Sequence, residues 1–326
     1  MRVTISDVAR RARVSKTTVS RVLNTRGEVD PATAARVREV IDTMGYVPSS
    51  GAVGLARGAS RTVGMLTPSL TWPWMGEVLQ GVADTVEAAG YGLLLYTCHR
   101  GADSVRHFTD QVSARAFDGL LVVEPENTLD TLTSLHRGGL PVVLVDDRGH
   151  RPEFPSVATT NRAGGASAAA HLSASGRSRP LVVTGRRDFG CVRERLDGFR
   201  EVLPTGLVVE GEFTEATGRG AVERALASGH TFDCVFAHND LIAAGALRAL
   251  REAGLRVPED VSVVGFDDLP MARHTEPPLT TVRQPMREMG RAAARLLLAG
   301  LDGEPIPDEP VVLPTELVVR GSAPGA

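Results

Sequence analysis

The chain has 326 residues, 42% hydrophobic and 4% aromatic, with 36 Lys and Arg against 39 Asp and Glu. That length calls for two or more domains, and the apolar content is ordinary for a soluble protein with a real core. The polar N-terminus excludes a secretory signal, no apolar run reaches the length of a membrane helix, and the three scattered cysteines (Cys98, Cys191, Cys234) exclude a disulfide framework. These features predict a cytoplasmic protein with no membrane partner, no metal site and no cofactor. The net charge of −3 is unevenly spread: residues 1–60 hold ten basic and five acidic side chains, a net of +5, and the rest carries −8. A basic head on an acidic body points to a polyanion partner for the head only, which argues against a non-specific DNA-packing protein.

In the stretch TISDVARRARVSKTTVSRVLN, Ile5, Val8, Ala9 and Ala12 fall on one helical face, with Thr4 as N-cap and Asp7 in the capping-box position. The pattern breaks at Arg13 and Val14 and restarts at Ser15, a second N-cap, after which Val19, Val22 and Leu23 line another apolar face. Arg10, Arg11, Arg13, Lys16 and Arg21 leave the outer faces basic. Two short capped helices with a basic exterior read as a DNA-binding helix-turn-helix; the plainer reading is a helical hairpin with a solvated charged face. After a polar loop, Asp30 and Pro31 open a third helix with Val37, Val40, Ile41 and Met44 as its apolar stripe and Gly45 as its stop. These helices make a domain over residues 1–46. Residues 47–60 form a linker containing Pro48, Gly51, Gly54 and Gly58. Any helix there is too short and glycine-rich to stand alone.

From residue 61 the pattern changes. Apolar β-branched runs predict strands at 63–67, 92–96, 119–123, 141–145, 157–159, 180–184, 207–210, 234–237, 261–265 and 280–282. Amphipathic stretches predict helices near 75–89, 103–115, 162–175, 190–202, 215–228, 240–253 and 286–299. Continuous Val/Leu runs between helices indicate parallel strands buried on both faces. Ten strands are too many for one sheet in this length, so the fold class is α/β: a small helical head and a body of two doubly wound halves, breaking near residue 158. Ligands in such sheets bind at the carboxyl ends of the strands.

At this point the residues carry a resemblance. TISDVARRARVSKTTVSRVLN and RVREVIDTMGYVPS resemble the start of lactose-repressor (LacI/GalR) family regulators. AHNDLIAAGALRALREAGLRVPEDVSVVGFDDLP and PPLTTVRQP are similar to the C-terminal part of the same family. The resemblance implies a homodimeric repressor that reads a palindromic double-stranded DNA operator. It also implies a periplasmic-binding-protein-like body over 61–326, with one subdomain at about 61–157 and 285–311 and the other at about 158–284 and 312–326. By position it assigns base reading to Lys16, Thr17 and Arg21, and Arg suits bidentate bonding to guanine. Ser15 and Thr18 are placed at a phosphate, with Thr4 and Asn24 as further DNA contacts. Leu55 matches the leucine that wedges into the minor groove, the alternative being a linker residue packed on the body. Lys16 and Thr17 are not the lactose repressor's pair, so its operator sequence does not transfer.

The same resemblance places Arg195, Asn239 and Asp267 at a small-molecule effector, most often a sugar, whose hydroxyls such groups bind well. Turn capping is the alternative for Asp267 and its neighbour Asp268. Trp72 and Trp74, the only tryptophans, follow the first strand of the body and suit stacking on a sugar face, core packing being the alternative. Phe189 and Asp146 are weaker candidates at strand ends. The run from Thr71 to Trp74 departs from the family pattern, and Thr160–Asn161 falls where many members have Asp-Asn, so a nucleobase-type or other non-sugar corepressor stays open. No GxxxxGK[ST], GxGxxG or GxSxG motif supports an α/β enzyme, and the histidines form no catalytic set. An extracytoplasmic binding protein would share the body but not the basic head. The C-terminal ELVVRGSAPGA carries no leucine heptad, so a dimer rather than a coiled-coil tetramer is expected.

Overall fold

Three helices form at the N-terminus because their ends are capped by their own side chains. In α1 (Ile5–Ala12) the Thr4 hydroxyl meets the Asp7 N–H while the Asp7 carboxylate accepts from the Thr4 N–H at 3.0 Å. The helix stops at Arg13, which turns left-handed at φ 54°. The second helix, α2 (Lys16–Asn24), starts where Ser15 Oγ accepts from the Thr18 N–H at 3.1 Å. Helix α3 (Pro31–Met44) opens on the Asp30 carboxylate, which accepts from the Thr33 N–H, and closes at left-handed Gly45. Val8, Ala9, Ala12, Val19, Val22, Ala34 and Val37 form the shared core. The small Ala9 and Ala12 let the helices approach closely.

The protein is seen in a computed structural model that describes residues 3–24, 29–47, 59–98, 102–113, 116–124, 128–146, 154–307 and 309–325. Leu55 and most of the expected linker lie outside the described residues. The chain divides into two units, one built from Met1–Thr62 with Thr109–Asp118 and the other from the remainder. Where the chain resumes after the linker, the Asp118 carboxylate accepts from Ser60 N, Ser60 Oγ and Arg61 N at 2.6, 2.9 and 2.7 Å.

The body alternates strand and helix: β1 (Thr62–Thr67), α4 (Met75–Ala88), β2 (Gly92–Thr97), α5 (Ala102–Ser113), β3 (Gly119–Val123), α6 (Leu129–Arg137), β4 (Val142–Val145) and β5 (Ser156–Thr159). Then follow α7 (Asn161–Ala174), β6 (Pro180–Thr184), α8 (Gly190–Val202), β7 (Leu207–Glu210), α9 (Glu215–Ala227), β8 (Cys234–Ala237), α10 (Asp240–Glu252) and β9 (Ser262–Asp267). A short 3-10 turn at Pro270–Arg273 leads to β10 (Thr280–Arg283), α11 (Met286–Leu301), β11 (Val311–Leu313) and β12 (Glu316–Val318). Two six-stranded sheets result, ordered β11-β5-β4-β3-β1-β2 and β12-β10-β9-β8-β6-β7. The sheets are of the mixed α/β, mainly parallel kind expected, with β12 antiparallel to β10.

Four details differ from the sequence reading. Helix α6 was not anticipated, nor were β11 and β12, each three residues long. Strand β9 runs two residues past 265, so Asp267 is its last residue rather than its successor. Strand β2 is not buried on both faces, because it lies at a sheet edge, where Leu94 and Leu95 are 38% and 37% exposed.

The chain passes between the sheets three times: from β5 to α7, from β10 to α11 and from β11 to β12. Thr160 and Thr315 tie two of these crossovers together, with Thr315 N donating to Thr160 Oγ1 at 2.9 Å. Six of the body helices pack in three pairs, α4 with α11, α7 with α8 and α9 with α10, and each pair crosses at one glycine from each partner. A Cβ on Gly81 of α4 would lie 2.1 Å from the Arg287 carbonyl oxygen of α11, and one on Gly290 2.1 Å from that of Val78. A Cβ on Gly165 of α7 would lie 2.1 Å from the Arg195 carbonyl oxygen, and one on Gly198 of α8 1.9 Å from that of Arg162. Gly218 of α9 and Gly245 of α10 repeat the arrangement against Ile242 and Glu215, both at 1.9 Å.

These contacts are to backbone, which cannot swing aside as a side chain does. Gly165→Ala should therefore destabilise the body by about 1–3 kcal/mol or more through overpacking. Gly206→Ala, where nothing lies within 4 Å of the added carbon, should stay within about 0.5 kcal/mol. Urea unfolding of the two variants checks this, and equal midpoints would remove the close crossing as a constraint.

Candidate functional site

The head offers a polar, basic surface built on its buried face. Val19 is fully buried and Val22 nearly so, which turns Lys16, Thr17 and Arg21 outward, all three exposed. Thr17 and Arg21 are one turn apart and so share a face. The Ser15 and Thr18 hydroxyls lie 2.9 Å apart and hold each other at the start of α2. Thr4 is committed to the cap of α1, and its hydroxyl bond draws the Asp7 carboxyl below its usual range. Asn24 is the last residue of α2.

In the body, the carboxyl ends of strands from both sheets border one cavity of about 370 Å³. The seven residues proposed from the sequence for the effector (Trp72, Trp74, Asp146, Phe189, Arg195, Asn239 and Asp267) all line it. The two tryptophans stack at 5.9 Å between centroids, with planes 24° apart, and both also pack on the core of the first sheet. They are therefore cavity wall and core margin at once. From the second sheet, Phe189 and Phe213 meet edge to face at 5.8 Å.

Arg195 is the most constrained of the set, at 4% exposed. Its Nε donates to Asn161 Oδ1 at 2.9 Å and its Nη1 to the His238 carbonyl at 2.6 Å. The guanidinium carbon sits 3.7 Å from the centre of the Phe266 ring. Asp267 Oδ1 lies 4.0 Å from Arg195 Nη1 and accepts from Gln284 Nε2 at 2.7 Å. Gln284 Oε1 in turn accepts from the Thr159 hydroxyl at 2.8 Å, so this chain of bonds reaches the β5 crossover. Burial pushes the Asp267 carboxyl up to about 6, although Arg195 and Gln284 favour its ionised form. Asn239 has two duties: its Oδ1 caps α10 by accepting from the Ile242 N–H at 2.8 Å, and its side chain also borders the cavity.

Asp268, in contrast, turns away into a structural pair. Its carboxylate accepts from Arg283 Nε at 2.8 Å and Arg320 Nη2 at 2.5 Å. Asp240 is likewise structural, accepting from Leu269 N and Thr281 Oγ1, both at 2.6 Å. Together they fix the loop beside Asp267.

Three cavity acids sit in backbone conformations that side chains avoid: Glu124 at φ 42°, Asp146 at φ 58° and Asp267 at φ 108°. Each costs of order 1 kcal/mol or more and persists only because the surroundings impose it. Glu124 was not singled out in the sequence, nor were Gln284, Arg186, Cys191, Glu212, Phe213, Thr214, Met286 and Met289, which also border the cavity. Glu124 and Gln284 directly follow β3 and β10, and that position was the available signal.

Comparison with known proteins agrees with this architecture. Residues 4–49 match the family described as bacterial regulatory proteins of the lacI family, and residues 169–323 match a periplasmic binding protein-like domain. The HTH-type transcriptional repressor PurR of Aliivibrio salmonicida is 33% identical over 303 residues, covering 90% of this chain and 91% of that protein. The lac repressor dimer bound to operator and the anti-inducer ONPF superposes with a TM-score of 0.89 at 26% identity, covering all of both chains. The complex of the regulator CelR with cellobiose gives 0.73 at 33% identity, covering 98% of this chain and all of that one. The chain belongs to the LacI family of DNA-binding transcriptional repressors.

Proposed function

We propose that the protein binds a palindromic operator as a homodimer in the cytoplasm and that a sugar or sugar derivative held in the body cavity controls that binding. The observation that carries this is the cavity shared by the strand ends of both sheets, lined by stacked aromatic rings and by hydrogen-bonding side chains. Stacked rings suit the C–H face of a pyranose, and Arg, Asn, Gln and carboxylate groups suit its hydroxyls. The cellobiose complex of the CelR relative supports the sugar reading, and the operator-bound lac repressor dimer supports the DNA and dimer readings. Exposed Leu94 and Leu95 on edge strand β2 are apolar surface suited to a second copy.

A ligand touching both sheets binds their open and closed arrangements unequally, and only that inequality can shift operator affinity. The bond chain from Asp267 through Gln284 to Thr159 gives the ligand a route to a crossover. In the head, Lys16, Thr17 and Arg21 read bases, while Ser15 and Thr18 with the N-terminus of α2 hold a phosphate. Thr4 and Asn24 make further DNA contacts, and Leu55 acts as the minor-groove wedge.

Arg21→Ala should reduce discrimination between the operator and a single-base variant by about 1–3 kcal/mol, read by competition binding at fixed salt. A uniform loss across all sequences would make Arg21 a phosphate contact instead. For Asp267, a hydroxyl donated to the carboxylate requires the ionised form. Effector affinity should then fall about tenfold per pH unit below pH 6, and Asp267→Asn should flatten the profile. The sign for folding is the reverse. With the folded carboxyl at about 6 and the ordinary value of 3.8, the wild type loses stability as pH rises through that window. The loss relative to Asp267→Asn should be on the order of 3 kcal/mol by pH 7. Denaturation at pH 4 and pH 7 for both proteins tests it, and parallel curves would place the titration elsewhere.

A further inference from the structure

One side chain holds the place where the chain enters the body. Asp118 Oδ1 accepts from the Ser60 N–H at 2.6 Å and from the Ser60 hydroxyl at 2.9 Å, and Oδ2 accepts from the Arg61 N–H at 2.7 Å. The Asp118 N–H in turn donates to the Thr62 carbonyl at 2.8 Å. Two successive N–H groups converge on one anion only where the chain curls around it, and Arg61 supplies the curl at φ 54°. That backbone conformation is strained in residues other than glycine and persists where the surroundings impose it. The base of this clamp is firm. Asp118 leads directly into β3, whose five residues are all buried and which pairs with β1 from Gly119 opposite Val63. A Cβ on Gly119 would lie 2.9 Å from Leu297 Cδ1 of α11, so the strand starts hard against that helix.

We propose that Asp118 is the positioning residue that fixes the direction in which the linker leaves the body, and through it the half-site spacing that the protein accepts on DNA. This role presupposes the homodimer and palindromic operator proposed above. Residues 45–59 separate the end of α3 from the clamp, and a chain of that length spans up to about 50 Å when extended. Adding one base pair between half-sites moves them by only about 3.4 Å and turns one by about 35° relative to the other. Chain length alone would let the heads follow such a change. A preference for one spacing therefore needs a fixed starting point in each protomer, and the Asp118 carboxylate supplies it. A carboxylate only accepts, so all three donors are served at once, whereas an amide in its place would turn an NH2 group on one side of the clamp.

The test uses the operator that the full-length wild type selects from random duplex DNA, with its half-sites then moved apart or together by one and two base pairs. At fixed salt, a one-base-pair change should weaken binding about tenfold or more for the wild type and about threefold or less for Asp118→Asn. Ser60→Ala, which gives up one bond of the three, should fall between them. Affinity for random duplex reports charge and the folding of the head, and should agree among the three proteins within about twofold. In the DNA-free wild type, the Ser60 and Arg61 amides should exchange with solvent about tenfold or more slowly than in an unstructured peptide, a measurement that needs no variant. Exchange at the unprotected rate overturns the clamp. A spacing penalty as steep in Asp118→Asn as in the wild type, or a loss equal on operator and random duplex, overturns the spacing role. A wild type that selects only isolated half-sites overturns the dimer reading and the spacing role with it, and protected amides then tell that failure from failure of the clamp.

Discussion

The close crossing of α7 and α8 is the constraint on which the cavity between the two sheets depends. Gly165 rests against the backbone carbonyl of Arg195, and Gly198 against that of Arg162, so the two helices touch through main chain. This contact sets the height of α8 above the second sheet. It therefore determines where the Arg195 guanidinium lies against Phe266, how it meets Asn161 at the head of α7, and how close it comes to Asp267. Any residue larger than glycine would lift α8 and withdraw Arg195 from all three partners together. The other two glycine-paired crossings do the same for the helices that begin near Trp74 and Asn239. Chemistry at the cavity thus follows from backbone contact behind it.

The crossovers give the same residues a mechanical role. Thr159, Gln284 and Thr315 lie at the three places where the chain changes sheet, and each has a hydrogen bond to another crossover residue or to the cavity. Three parallel connections restrict relative motion of the two sheets to rotation about a line near these residues. Asp267 lies beside that line, where a small displacement becomes a large one at the far ends of the lobes.

The parts of the fold legible in the sequence were those determined locally. The caps at Thr4, Ser15 and Asp30 and the stop at Gly45 depend on residues within one turn, and all four formed as read. Long Val/Leu runs marked the central strands, which are covered on both faces, although the Leu run of β2 gave the same signal at a sheet edge. Helix α6 was missed although Leu129, Leu132 and Leu135 fall at helical spacing, because it is short and rich in Thr and Ser, which are weak helix formers. Strands β11 and β12 were missed because three residues have no periodicity, and both exist through pairing with distant partners. Asp267 reads as a turn residue in isolation, yet Phe266 and the pairing with Arg283 hold it in the strand. The cavity residues named in advance came mostly from family resemblance. Glu124 and Gln284 needed the three-dimensional meeting of strand ends.

The left-handed acids at the strand ends carry an evolutionary consequence. Glycine would occupy the backbone positions of Glu124, Asp146 and Asp267 without strain, so replacing any of them relaxes the main chain, and at Asp267 it also removes a carboxylate that burial disfavours. Mutational drift toward a sturdier scaffold is therefore downhill in backbone strain at these sites. On the proposed effector role, a lineage released from its effector should lose these acids before it loses its core.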